Sequence, residues 1–399
     1  MTHLGYCTNI HPGESWAAHF QNLKTSVPAV KATFRPDAPL GLGLRLANEA
    51  SLALAEPGAL AELKTWLAEN DLYVFTMNGF PYGGFHGVRV KDQVHAPDWT
   101  TPDRREYTSR LFRLLAQLLP DGLGAGGVST SPLSYRFWWK TPEAQDAAVQ
   151  KATRHILEVV DDLIDLSRTT GKTLHLDIEP EPDGILENSA EFIGWYETVL
   201  QPTAKAFFVE KRGFSESETR DRLRDHVRLC YDVCHFAVGY EQPATVLAAL
   251  DQAGIWVGKI QVSSALKVDL TQNFSEKITA LAHFDEPTYL HQVVARRVDG
   301  GFDRYPDLPE ALAAASRGAH AEWRVHFHVP LFLEKYGVLD STQDAVREVL
   351  RIQRETPFTS QLEVETYTWG VLPPAAQAPL NESIGRELDW VKTSLKFEV

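Results

Sequence analysis

The residues best suited to chemistry in this chain sit where short apolar runs end. The stretch Leu229–His235 reads LCYDVCH: an apolar run closes on Asp232, and His235 follows three residues later. TLHLDIEP leads into Glu179, LEVETYTW carries Glu365, and RVHFHVPLF (324–332) carries His326 and His328. Two residues apart on an extended strand, those two imidazoles point to one side. In parallel α/β folds, ligands bind beyond the carboxyl ends of strands, so acids and histidines at several strand ends would converge on one mouth. Gathered there, they would repel one another unless a cation sat among them. Carboxylate oxygens mixed with imidazole suit Mn²⁺, Zn²⁺, Co²⁺, Mg²⁺ or Fe²⁺, so a divalent metal ion is the expected cofactor. Cysteine is not expected among the ligands, because the spacing of Cys230 and Cys234 fits strand packing better than a CxxC pair.

Each candidate has a plainer counterpart. Asp232 could cap the next segment while His235 packs in the core. Glu179 and Glu181 lie in EPEPD, and acids beside prolines are commonly solvated. Glu363 and Glu365 alternate as they would on an exposed strand face. Glu365, nearer the strand's end, is preferred for the site.

Eight short apolar runs would have to position these residues: 3–10, 40–47, 72–79, 126–132, 173–180, 227–233, 257–264 and 362–369. Helical patterns lie between them. Thr101-Pro102 opens one in the N-cap and N1 manner. Residues 143–170 form another that stops at Gly171. Ser215-x-x-Glu218 is a capping box, and Asp340 or Ser341 caps the helix that carries Val346. Strand and helix alternating about eight times predict a single (β/α)₈ barrel domain over residues 1–399. The interval from about 265 to 360 is too long for one strand–helix unit. It is expected to be a helical insertion before the last barrel strand, on the catalytic face. A closing helix is expected at about 382–396.

The formal net charge of −14 disfavours nucleic acid and anionic membranes as partners. Three cysteines, an N-terminus without a basic and apolar leader, and no long apolar stretch fit a cytoplasmic protein with no direct membrane insertion. The expected partner is a small polar metabolite, with room for a homo-oligomer.

The order Glu179, Asp232-x-x-His235, a later histidine, then Glu365 resembles the xylose-isomerase-like TIM-barrel superfamily, which includes sugar isomerases, epimerases and endonuclease IV. Closer still, LGYCTNIHPGE, NGFPYGGFHG, LDIEPEPDG and YDVCH together resemble the EboE family of "metabolite traffic" proteins. The resemblance implies that Glu179, Asp232 and Glu365 ligate metal, and that His235 touches substrate or a second ion. Where the superfamily places a ligand histidine, KIQVSSAL offers Gln261, and His326 or His328 would substitute. Asn78, Phe80 and His86 would form a polyol-holding wall, with His11 joining from the first strand. Trp138 offers an aromatic face for stacking on a sugar.

The implied activity is a metal-dependent sugar or cyclitol isomerase or epimerase, working through an enediolate with Glu179 and Glu365 moving the proton and His235 beside them. Two alternatives stand beside it. One is metabolite binding without turnover; the other is endonuclease IV-like phosphoester cleavage.

Overall fold

The computed structural model describes residues 2–372, 374 and 377–396. Seven strands alternate with helices along the first two thirds of the chain: β1 (His3–Cys7), β2 (Leu40–Arg45), β3 (Leu72–Asn78), β4 (Ala125–Thr130), β5 (Thr173–Ile178), β6 (Val227–Asp232) and β7 (Val257–Val262). Six short strands follow: β8 (Leu266–Asp269), β9 (Val293–Arg297), β10 (Phe302–Tyr305), β11 (His320–Val325), β12 (Lys335–Tyr336) and β13 (Leu339–Ser341). The last strand is β14 (Gln361–Val364), and the closing helix spans Leu380–Leu395.

Strands β1–β7 and β14 close a parallel barrel in the order β1-β14-β7-β6-β5-β4-β3-β2. All eight expected runs are therefore its staves. Local signals behave as read. Thr101 and Ser215 accept from the N–H three residues on, Ser215 with Glu218 completing the capping box. Gly171 ends the helix Pro142–Thr170 at φ 70°. The helix Gln343–Glu355 starts one residue later than expected, at an N-cap Thr342 whose side chain makes no capping bond.

The two faces of the staves differ sharply. One alternating set joins the hydrophobic core beneath the helices: Leu40, Leu42 and Leu44 on β2, Leu174, Leu176 and Ile178 on β5, Leu229 and Tyr231 on β6. The other set meets inside the barrel and is strongly polar. Lys259 on β7 pairs there with Glu363 on β14, both fully buried. His175 pairs with Asp177 at 2.6 Å. Small residues make the room: a Cβ on Gly43 would lie 1.4 Å from the Glu363 carboxylate, and one on Gly127 would lie 2.0 Å from Asp177. Glu363 is thus inside the barrel, not on an exposed face, because it shares parity with Glu365.

The insertion between β7 and β14 carries the helices Phe274–Leu281, Leu308–Ala314 and Gln343–Glu355. It also builds an antiparallel sheet in the order β10-β9-β11-β8-β13-β12. His326 and His328 lie just beyond this sheet, since β11 stops at Val325. The chain there is pinned by His326 N–H to Gln292 O (2.9 Å) and Val329 N–H to Ser264 O (2.8 Å). No described helix is long and apolar enough to cross a membrane.

Candidate metal centre

Glu179, Asp232 and Glu365 stand at or just past the ends of β5, β6 and β14, and all three are buried. One oxygen from each falls within a group whose atoms all lie within 4.8 Å of one another. Barrel pleating explains this: each is the last inward-facing residue of its strand, so closure brings the three to one level.

The three carboxylates are held differently. Asp232 is the N-cap of the helix Val233–Val238, and its Oδ1 accepts from His235 N–H at 3.0 Å and Ser263 Oγ at 2.7 Å. Its Oδ2 is buried with no partner. Capping and ligation are therefore compatible readings of one side chain. Glu365 is clamped by amides: Asn9 Nδ2 (2.7 Å) and Asn78 Nδ2 (2.9 Å) on Oε1, and Gln261 on Oε2. Glu179 Oε2 is buried and unpartnered. Burial, then the neighbouring Glu365 and Asp232 charges, pushes the Glu179 carboxyl well above the ordinary range. Burial and Asp232 raise Glu365 in the same way. Lys259, one layer deeper, is already committed to Glu363.

Three imidazoles converge beside this trio. His235 Nδ1 faces Pro180 O at 3.0 Å, His326 Nδ1 faces Gln292 Oε1 at 2.7 Å, and His328 Nδ1 faces Glu365 O at 2.8 Å. A carbonyl only accepts, so each Nδ1 carries a proton, and Nε2 is the atom left to present a lone pair when a ring is neutral. The Nε2 atoms of His235 and His326 are 3.1 Å apart, and that of His328 is buried without a partner. Facing lone pairs at that distance repel unless a proton or a cation lies between or beside them. Burial lowers the proton affinity of His328 to a pKa of about 4 and takes His326 well below the usual histidine value, so a cation suits the set better than a proton does. Asp232, His235 and His328 form a second group of potential ligands, and Glu181, His235 and His326 a third.

A divalent cation is the ligand this donor set fits. Orphaned buried atoms (Glu179 Oε2, Asp232 Oδ2, His328 Nε2) come from chemically suitable residues, and Lys259, the cation that acts on Glu179 and Glu365, is paired with Glu363.

Of the remaining expected residues, Asn78 and Phe80 line the cavity above the cluster. Gln261 braces Glu365 with its NH₂, while its amide oxygen accepts from Cys230 Sγ at 2.7 Å. His11, His86 and Trp138 are not in the cavity wall. Each is engaged elsewhere: His11 with Tyr6 Oη (2.9 Å), His86 with Asn9 O, and Trp138 with Asp92 (2.7 Å).

Sequence reasoning passed over several residues that border the cavity, among them Asn9, His95, Glu181, Gln292 and Tyr367. Asn9 shares strand parity with Gly5 and Cys7, a signal that was there to read. Glu181, 6% exposed, pairs with buried His95 at 2.7 Å, so EPEPD is not a solvated loop. Cys234 Sγ comes within ligand reach of His326 and His328, although burial drives its thiol to hold its proton.

No known protein family and no curated protein matches the chain. Similar solved structures include the IolI protein with a bound zinc atom (13% identity over 100% of both chains, TM-score 0.46). Others are the probable 3-DHS dehydratase AsbF from Bacillus anthracis (11%, 100% of both, 0.45) and D-allulose 3-epimerase from Methylomonas sp. (14%, 72% and 82%, 0.35). At these identities and TM-scores the likeness bears on neither substrate nor activity. The strand pairing itself defines the class, an eight-stranded parallel barrel with a candidate metal centre at its mouth.

Proposed function

We propose that the chain is a divalent-metal-dependent enzyme of isomerase or epimerase type. Its substrate would be a small metabolite with adjacent oxygens, of the sugar or cyclitol class, turned over at the barrel mouth. The observation that carries this reading is the buried trio Glu179, Asp232 and Glu365 with its unpartnered oxygens. When bound, the ion would act as a Lewis acid on a carbonyl or a hydroxyl pair.

The chain's own residues supply the rest. The Asp232 cap and the amide clamp on Glu365 fix those carboxylates before substrate arrives, which removes reorganisation from the reaction. With Oε2 toward the ion, Glu179 would offer Oε1, 3.5 Å from His235 Nδ1, as the place to hold a proton taken from a carbon beside a carbonyl. Glu365 serves as the second proton-handling carboxylate, and Gln261 holds it in place. His235 stands between Glu179 and His326. The finer kinship, with the xylose-isomerase-like proteins and the EboE family, rests on the sequence motifs.

The converging imidazoles favour a second reading, two-ion cleavage of a small phosphoester. Elemental analysis of protein purified without added metal tests the shared premise. One or two equivalents of Mn, Zn, Co, Mg or Fe are expected, lost in Glu179→Ala, Asp232→Ala and Glu365→Ala. A wild type that stays empty after reconstitution ends both readings and leaves a metabolite-binding protein. With metal loaded, deuterium uptake from D₂O by ketoses and inososes supports the isomerase reading. Hydrolysis of bis(p-nitrophenyl) phosphate supports the other.

A further inference from the structure

The cavity above the metal centre is built in two halves of opposite character. Its floor is the carboxylate and imidazole cluster. Its wall is a small hydrophobic cluster, separate from the main core, made of Phe85, Val90 and Tyr289 with Val94 and Tyr367 packed against them. The wall starts directly at the floor: the Tyr367 ring is 4.6 Å from that of His328, 5.3 Å from Phe85 and 5.1 Å from Tyr289. Leu290 continues it along the insertion.

Two of the polar groups on the wall, the Tyr289 hydroxyl and the Lys91 ammonium, are already engaged. Tyr289 Oη donates to Phe85 O at 3.0 Å. Lys91 Nζ is bound to Asp307 at 2.6 Å and to Glu286 O at 3.3 Å. Outer hydroxyls of a free polyol would leave water for a surface whose one uncommitted polar group is the Tyr367 hydroxyl, and each left unpaired would cost about 1–3 kcal/mol. An apolar group against the same surface would gain by burial.

We propose that the substrate is amphiphilic: a small oxygen-rich head that reaches the metal floor, joined to an apolar body that lies along the Phe85–Val90–Tyr289 wall. This rests on the metal-centre reading of the floor and adds the substrate's other half. A cavity with an apolar lining and a few convergent polar groups is the usual form of a small-molecule site, and here the two kinds of surface are segregated.

Alkyl hydroxamic acids test it, since their head chelates a metal and their tail can be lengthened. Metal-loaded protein is titrated by calorimetry with acetohydroxamate, butanohydroxamate, hexanohydroxamate and octanohydroxamate, with gluconohydroxamate as the six-carbon polar counterpart. Affinity is expected to rise about fourfold per added methylene, and hexanohydroxamate is expected to bind more tightly than gluconohydroxamate. Val94→Asn and Leu290→Asn, at half-buried positions that tolerate polarity, should flatten the series while metal content stays unchanged. Equal affinity across the alkyl series, or preference for gluconohydroxamate, overturns the amphiphile while leaving the metal centre intact. Failure of every hydroxamate on protein shown to be loaded also overturns the amphiphile, while the loading itself upholds the metal centre.

Discussion

Asp232 does two things with its two oxygens, and substitutions separate them. Asp232→Asn keeps a side-chain acceptor for the His235 N–H, so the metal-free fold should lose no more than a few tenths of a kcal/mol. Metal affinity should fall by tenfold or more, because a charged donor is gone. Asp232→Ala should add about 1 kcal/mol of lost capping. Urea unfolding in EDTA, read beside metal titration, checks the pair.

Glu179 carries the converse prediction. Without metal its carboxylate is buried near two others, so Glu179→Gln should raise metal-free stability by about 1–3 kcal/mol. The same variant should abolish the stabilisation that added metal gives the wild type. A metal-free Tm that falls would mean the three carboxylates are already balanced.

At the scale of elements, the barrel's polar interior is the feature to test. Lys259 and Glu363 are both fully buried, so Lys259→Met strands a carboxylate and should cost about 3–5 kcal/mol. The double variant Lys259→Met/Glu363→Leu should recover most of that loss. Gly43→Ala should cost about 1–3 kcal/mol through overpacking, since its Cβ would enter the Glu363 carboxylate. Denaturant unfolding of wild type, Lys259→Met, Glu363→Leu and the double variant closes the cycle, with Gly43→Ala read beside them.

These same strands show what a sequence can and cannot carry. All eight staves were legible, because apolar runs of strand length between helical periods have few other meanings. Glu363 was not, since a period of two places Glu363 and Glu365 on one face without saying whether that face looks at water or into a barrel. The paired histidines were found for a reason only partly right: they share a side, yet lie past the strand. Most of the insertion's sheet escaped because its strands carry charges in place of apolar runs: Arg296 and Arg297 on β9, Asp303 and Arg304 on β10, Glu322 and Arg324 on β11. Glu181 and His95 escaped because their partnership spans 86 positions, a contact no local signal encodes.

For the whole molecule, the closing helix Leu380–Leu395 ties the insertion to the barrel through one acid. Glu387, buried, accepts from Leu331 N–H (3.0 Å) in the insertion and from Thr366 Oγ1 (2.8 Å) just past β14. Burial raises its pKa to about 7 from 4.5, against the pull of those donors. Its folded value exceeds its unfolded one, so the folded protein binds the extra proton between them. Its contribution is complete below about pH 4.5 and is lost as pH climbs through about 7. Glu387→Gln keeps the acceptor oxygen and removes the titration. Relative to wild type it should gain up to about 3 kcal/mol between pH 4.5 and pH 8. Unfolding free energies at the two pH values decide it, and a pH-independent difference would sink the account.

The place of β14 in the chain has a consequence for how the protein is made. Strand β1 emerges from the ribosome first, yet one of its two neighbours is the eighth stave, more than 350 residues later. Until that stave appears, a nascent chain exposes an open edge on β1 and another on β7, and it lacks Glu365. The order of synthesis therefore leaves the candidate metal centre incomplete until β14 and Glu365 have emerged.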